Sequence, residues 1–488
     1  MALWAMTAWC WITTARAEAP VVLIGVDGAD LGVVETLWER GELPHLRELA
    51  ERGVHGRLQT PYNKSPIIWT TVATGHAVEQ HGVADFLATT DEGDRVPVGS
   101  SNRQVEALWT MLPREGRSTL VLGWWASWPA ERIDGLMVSD RLQPSLTDRT
   151  WPPEAVDELH SWRKQAQASW QGVYGDEHKG RADQLHTWLA TEHVDDGYDL
   201  AMVYLHQIDI ASHRYWRYWQ PEHFASVTPA QLDAYADAIP AAYRAMDSAV
   251  GAIVAVAPAD ARILVVSDHG FGPAEQETVG FRLDMTAIFE ALRLHATPMS
   301  RANVHDQLVR LDGVPEHLLE RELRRASEAL GSVTWLPSGA PVFDVQRSDE
   351  DGAHLLAQVR TEGHGDRLAV NGAEVPGAIG EFWVHSGQHG HAPPGIFFAA
   401  GPGIREGVRF DEASIFDITP TVLALLELPY GRDMAGQPLA SVLTEAQLAT
   451  SPVRSIPTWE GAARETHTER SAMDAQLMEE LRSLGYIE

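Results

Sequence analysis

Thirty-eight basic against sixty-eight acidic residues in a chain of 488 leave a formal net charge of −30. That surplus argues against electrostatic attraction to nucleic acid or to an anionic membrane as the main mode of action, and an anionic substrate would need local compensation such as metal ions. The length exceeds one simple core, so one large α/β domain with insertions, or two to three domains, is expected.

The first 19 residues combine an apolar stretch of about the length of a secretory h-region with the small-residue pairs ARA and AEA that suit signal-peptidase cleavage. No basic n-region precedes them, and the stretch is short for a membrane span. The chain therefore reads as exported, periplasmic or secreted, with no stable membrane span. Cys10, the only cysteine, lies in this segment. A mature chain without cysteine has no disulfide and no thiolate, so any metal must be held by His, Asp, Glu or hydroxyl groups.

APVVLIGVDGAD (19–30) is a continuous run of β-branched and apolar residues ending in Asp-Gly, the pattern of a strand buried on both faces of a parallel sheet. The same grammar recurs at 198–209, 261–270 and 395–404, and 118–129 reads as a further strand. Helical patterns separate them, which predicts a doubly wound, mostly parallel α/β sheet whose ligands bind beyond the carboxyl ends of the strands. Between about 281 and 385 the texture turns polar and glycine-rich around a charged helix, an insertion read as a cap. The core thus comprises 20–280 and 386–445. Residues 446–488 read as a linker and a short amphipathic helix, and show no chemistry of their own.

Acidic and histidine side chains stand where separate strands end. SDHG gives Asp268 and His269; HQIDIASHRYW gives Asp209 and His213 at i,i+4, a spacing that on a helix aims both at one point. VDGAD gives Asp27, and SGQHGHAPPG gives His389 and His391. Alone, an Asp-Gly is an ordinary turn and an Asp-x-x-x-His pair is ordinary helix decoration. Together they supply nitrogen and oxygen ligands suited to zinc or a similar ion. Ser65-Pro66 opens an apolar helical run, with serine expected at the N-cap and proline at the first helical position. A hydroxyl at such a helix start is also well placed toward phosphate, and a nearby metal would lower its pKa.

In order along the chain, VVLIGVDGAD, KSPIIWTTVATG, HGVADF, IDIASH, VVSDHGF, SGQHG and DITPTVLALLEL resemble the alkaline phosphatase superfamily, and within it the type I phosphodiesterase/nucleotide pyrophosphatase family. The resemblance implies an alkaline phosphatase-like fold and two divalent ions, zinc by the family's pattern. One would be held by Asp209, His213 and His389, with His391 as the alternative to His389. The other would be held by Asp27, Asp268 and His269, with Ser65 bound near it as the nucleophile of a phosphoseryl mechanism. A small phosphate ester is the implied substrate, with no nucleic-acid polymer as partner; the oligomeric state stays open.

The chain departs from that pattern in places. Many diesterases of the family carry an asparagine after the HG motif, whereas HGVADF has Asp85 and Phe86. Lys64 precedes the serine and is a candidate for neutralising phosphate. Trp216, close to His213 in a tryptophan-rich stretch, is a candidate for lining the leaving-group pocket. Sulfatases share the fold but need a Cys/Ser-x-Pro-x-Arg motif, which SPIIW does not provide. A phosphomonoesterase or phosphonate hydrolase with the same site is the nearest alternative; a non-catalytic envelope binding protein is a more distant one. His76, His81, His206 and His385 have no place in the pattern and read as structural or solvent-facing.

Overall fold

The run VVLIGV forms strand β1 (Val21–Val26), buried along its whole length at the middle of a nine-stranded sheet. The structure is a computed structural model that describes residues 19–170, 173, 180–224, 227–299, 306–349, 352–360, 363–389, 393–461, 464, 466–471, 473–483 and 486–487. The segment read as a signal peptide, apart from its last residue, lies outside these, as does His391.

The other strands of this sheet are β2 (Gly53–Gln59), β3 (Thr119–Leu122), β4 (Gly135–Val138), β5 (Thr150–Trp151), β6 (Leu200–Leu205) and β7 (Arg262–Val266). After a long antiparallel ribbon of β8 (Gly272–Leu283) and β9 (Ile379–Gln388), the chain re-enters the sheet as β10 (Gly395–Ala400) and β11 (Val408–Ser414). The order is β11-β2-β10-β7-β1-β6-β3-β4-β5. β7, β1, β6, β3 and β4 run parallel, as do β2 and β11. The mostly parallel α/β class expected from the alternating pattern is the one observed.

β10 differs from expectation in direction: it runs antiparallel to β7 and β2. The ribbon explains this. β8 leaves the sheet from the edge where β7 ends and β9 returns the chain to that same edge, so β10 has to run back the other way. In consequence β1, β2, β6 and β7 end, and β10 begins, along one edge.

Side chains alternate between two buried layers. Val22, Ile24, Val203 and Val265 face one layer with α1 (Leu31–Glu39), α3 (Gly180–His193) and α5 (Ala238–Val256); Leu23, Met202, Tyr204 and Leu264 face the other with α2 (Ser65–Thr74) and α6 (Ile418–Leu425). Helices on both faces are what a sheet with no polar face requires. Residues 229–256 are long and apolar enough to cross a membrane by length and composition, but most of that apolar surface is buried inside the protein. Residues 281–385 carry a further apolar cluster centred on Phe281, Phe289 and Trp335. The region read as polar and glycine-rich carries two small sheets among the described residues, one of four strands and one of three, the second pairing Arg367–Val370 with Val333–Leu336.

His81, fully buried behind α2, is set as a neutral ring: Nδ1 accepts the Val83 N–H at 3.1 Å and Nε2 faces Thr71 Oγ1 at 3.1 Å. Burial, then the neighbouring His76 and Arg103, push its pKa down to about 3. Between that value and the unfolded value near 6.5 the unfolded chain binds the extra proton, so His81 makes stability fall as pH falls through this window. We expect wild type to lose about 2 kcal/mol more than His81→Gln between pH 7 and pH 5, read as the difference in their urea unfolding curves. Equal pH slopes in the two proteins would refute this.

Candidate metal centre and nucleophile

Each carboxylate at the shared sheet edge is held by one oxygen and leaves the other bare. Asp27 follows β1, and its backbone N–H donates to Leu205 O at 2.8 Å. Its Oδ2 accepts Trp69 Nε1 at 3.1 Å and the Tyr204 hydroxyl, while Oδ1 is buried without a partner. Asp268 follows β7; Oδ1 accepts the Gly28 N–H at 3.1 Å and Oδ2 is bare. Gly28 has φ +74°, and a Cβ there would stand 2.7 Å from the Phe271 ring, so this turn suits glycine alone. Asp209 lies in the first turn of α4 (Gln207–Trp219). Its Oδ2 accepts the Tyr486 hydroxyl, and Oδ1 is bare.

The imidazoles follow the same rule. His269 Nδ1 lies 3.0 Å from Gly270 O, so Nε2 is free and stands 3.4 Å from Asp27 Oδ1, 3.4 Å from Asp268 Oδ2 and 3.9 Å from Asp209 Oδ1. His213 Nδ1 lies 3.2 Å from Gly387 O, which leaves Nε2 free and 3.6 Å from Asp209 Oδ1. Gly387 permits this, since a Cβ there would meet the Ser212 carbonyl at 2.2 Å. His389 stacks on His269 with centroids 4.1 Å apart, meets His213 edge-on at 5.2 Å, and has a buried, unpartnered Nδ1.

Asp27, Asp268 and His269 form one group whose ligand atoms all lie within 4.8 Å of one another, the set expected from the sequence. Asp209, His269 and His389 form a second. Here the expected third member was His213; the stack of His269 on His389 brings His269 into this set as well, and His213 adjoins it through Asp209. Burial works against charge on His269, but Asp268, Asp27 and Asp209 outweigh it and raise its pKa to about 10. Burial, then His269 and His213, push His389 down to about 3, which keeps it a neutral donor.

Ser65 is not the cap its sequence suggested. Lys64, in extended conformation, holds the N-cap position, Ser65 is the first helical residue, and its fully buried Oγ has no hydrogen-bond partner. Pro66 has no N–H, and the Ile67 and Ile68 amides both donate to Lys64 O, so the Ser65 N–H is the first-turn donor left uncommitted to that carbonyl. The helix start thus offers less to an anion than a generic N-terminus. Ser65 shares a helix face with Trp69, four residues on, whose indole already reaches Asp27.

Of the remaining candidates, Lys64 and Phe86 sit against partners distant in sequence, and Trp216 departs from expectation. Lys64 Nζ is paired with Asp85 at 2.7 Å, and Asp85 also meets Arg95 at 3.4 Å, so one carboxylate is shared between two cations. Lys64 and Asp85 both line a cavity of about 790 Å³ together with Arg95, Arg470, Arg482 and Tyr486. Phe86 is buried and stacks on Tyr486, with centroids 4.8 Å apart and rings 8° from parallel. Trp216 does not line an opening: it is buried in the core against Phe271, with Nε1 donating to Gln220 Oε1 at 3.1 Å, because its side of α4 faces the apolar layer.

Four residues outside the set drawn from the sequence hold the ligands in place: Trp69, Tyr204, Tyr486 and His206, the last of which the sequence reading took as structural or solvent-facing. His206 Nε2 lies 3.5 Å from Asp209 Oδ2 and 2.6 Å from the Tyr486 hydroxyl. Tyr204 was within reach of strand alternation, since it faces the same layer as α2. Tyr486, near the end of the chain, carried no local signal.

The donor set fits a pair of divalent ions. Three carboxylates, three imidazoles and a hydroxyl, with seven buried and unpartnered atoms among them, are oxygen and nitrogen ligands of the kind zinc accepts. Polar atoms buried without partners are costly, and the six from the carboxylates and imidazoles gather on one spot.

No curated protein matches the chain. Among solved structures, the murine ectonucleotide pyrophosphatase/phosphodiesterase 5 aligns at 14% identity and a TM-score of 0.44, covering 87% of this chain and 100% of that one. Its inactive form in complex with AMP aligns at 14% and 0.43, covering 88% and 100%, and the human protein at 13% and 0.42, covering 88% and 99%. The profile described as type I phosphodiesterase/nucleotide pyrophosphatase matches residues 21–386. A match over that much of the chain identifies it as a member of this family of metal-dependent phosphate ester hydrolases.

Proposed function

We propose that the chain hydrolyses phosphodiester or pyrophosphate bonds in small molecules with two bound zinc ions and Ser65 as nucleophile. The observation that supports this best is the convergence of six buried, unpartnered atoms, from Asp27, Asp209, His213, Asp268, His269 and His389, with Ser65 Oγ buried and unpartnered on the helix whose Trp69 reaches Asp27. Asp27, Asp268 and His269 would hold one ion; Asp209, His389 and the adjoining His213 would hold the other. When bound, such ions supply Lewis acidity, lowering the pKa of a coordinated hydroxyl and offsetting charge on phosphoryl oxygens.

The chain's own residues do the rest. Ser65 Oγ, with no hydrogen bond to break, is poised to lose its proton and attack phosphorus. The new Oγ–P bond forms as the bond to the leaving alcohol or phosphate breaks. Water then displaces Ser65 from the phosphoseryl ester and restores the hydroxyl. Trp69 and Tyr204 hold Asp27 throughout, and Phe271 backs His213, His269 and His389. The proposal includes residues 281–385 as a cap on a core made of 20–280 and 386–445, and export of the chain directed by its first 19 residues.

Metal analysis with a panel of bis-p-nitrophenyl phosphate, p-nitrophenyl phosphate and p-nitrophenyl sulfate tests the reading. Two zinc ions per chain and fastest turnover of the diester are expected. A preference for the monoester would move the assignment to a phosphomonoesterase, and a metal-free protein that zinc does not activate would remove the mechanism.

A further inference from the structure

The last residues of the chain return to the candidate metal centre. Arg464 pairs with Glu131 at 2.6 Å, Asn102 Nδ2 donates to Thr468 Oγ1 at 3.0 Å, and Arg470 meets Glu92 at 3.1 Å, which ties residues of this segment to the core. Helix α7 (Asp474–Ser483) then buries Leu477 and Leu481. Beyond it the Tyr486 N–H donates to Leu481 O at 3.0 Å, which folds the chain back on itself and aims the tyrosine inward.

The half-buried Tyr486 ring is clamped on several sides. Phe86 stacks on it, His206 lies nearly parallel at 6.0 Å, and His213 and Trp125 meet it edge-on at 5.7 and 6.5 Å. The ring has no room to swing without unpacking these neighbours. Its hydroxyl donates to Asp209 Oδ2 and is itself 2.6 Å from His206 Nε2. Tyr204 makes the equivalent bond to Asp27 Oδ2 from inside the sheet. Each of these two carboxylates therefore has its outer oxygen fixed by a tyrosine, one from the core and one from the C terminus.

We propose that Tyr486 is a positioning residue of the metal centre: by holding Asp209 Oδ2 it keeps Oδ1 turned toward His213 and the ion, so the C-terminal segment is part of the active site. The inference rests on reading the cluster as a metal site. A partner that fixes a ligating carboxylate contributes to metal affinity, typically by 10- to 100-fold.

The test uses full-length protein with Tyr486→Phe, which removes the hydroxyl and keeps the clamped ring. Metal is stripped with a chelator, and zinc is titrated back in competition with a chromophoric chelator. One of the two zinc sites is expected to weaken about 10- to 100-fold. The other site and the melting temperature of the stripped protein should match wild type, and activity lost at limiting zinc should return at saturating zinc. Wild-type affinity at both sites in Tyr486→Phe would overturn the proposal. So would a rise in kcat/KM at saturating zinc, which would make the tyrosine an obstacle that substrate displaces. A wild-type protein that takes up no zinc would defeat the underlying metal reading instead, a distinct result. Tyr486→Ala is a harsher companion; should it fail to fold, the phenylalanine variant still decides.

Discussion

Ser65→Ala is expected to lower kcat on a phosphodiester by about 10⁴- to 10⁶-fold, the scale of losing a covalent nucleophile, while leaving the fold intact. The structural reason for the second half is specific. Ser65 is wholly buried and its Oγ makes no hydrogen bond, so alanine removes no contact that supports helix α2. A buried hydroxyl without a partner costs on the order of 1 kcal/mol or more, so the metal-free variant should melt at or slightly above the wild-type temperature. An ordinary N-cap predicts the reverse, a loss of about 1 kcal/mol with activity retained. Thermal melts of the chelated proteins, together with single-turnover rates, separate the two. A variant that kept a tenth or more of its activity would take Ser65 out of the mechanism.

Chelation is expected to abolish turnover and to destabilise the whole protein, and zinc to restore both. Three carboxylates face one another at the sheet edge around His269, each with a bare oxygen. Cations that bind the folded chain and not the unfolded one add about 2.7 kcal/mol per site when free metal is a hundredfold above Kd. The melting temperature should therefore rise with zinc concentration and level off only after two equivalents. Magnesium should serve poorly, because imidazole-rich sites favour zinc over hard oxygen-seeking ions. An unchanged melting curve on zinc addition would rule the cluster out as a metal centre.

The parts of this arrangement legible in the sequence are those with a local physical signature. Apolar runs such as VVLIGV and RILVV can only be strands buried on both faces, and the polar residue ending each run then has to sit at a sheet edge. That logic reaches Asp27, Asp268 and His269, and the i,i+4 rule reaches Asp209 and His213. It fails where the determinant is a partner distant in sequence. Nothing near Lys64 announces that Asp85 is its partner, and Trp216 packs into the core against the same Phe271 that backs His213, where it lines no opening. Ser-Pro gave the helix start to within one residue, but that single residue is the difference between a bonded cap and a bare hydroxyl. Tyr486 is 277 residues from the carboxylate it holds, and a lone tyrosine past a short amphipathic helix has no periodicity to betray it.

The distance in sequence between Asp209 and Tyr486 has a consequence for cooperativity. β1 is completed by β6 and β7, which begin at residues 200 and 262, and the hydroxyl on Asp209 Oδ2 comes from a residue 277 positions further along. Helix α4 folded alone would carry Asp209 without that partner. The setting of this carboxylate is thus a property of the assembled fold and of no single segment.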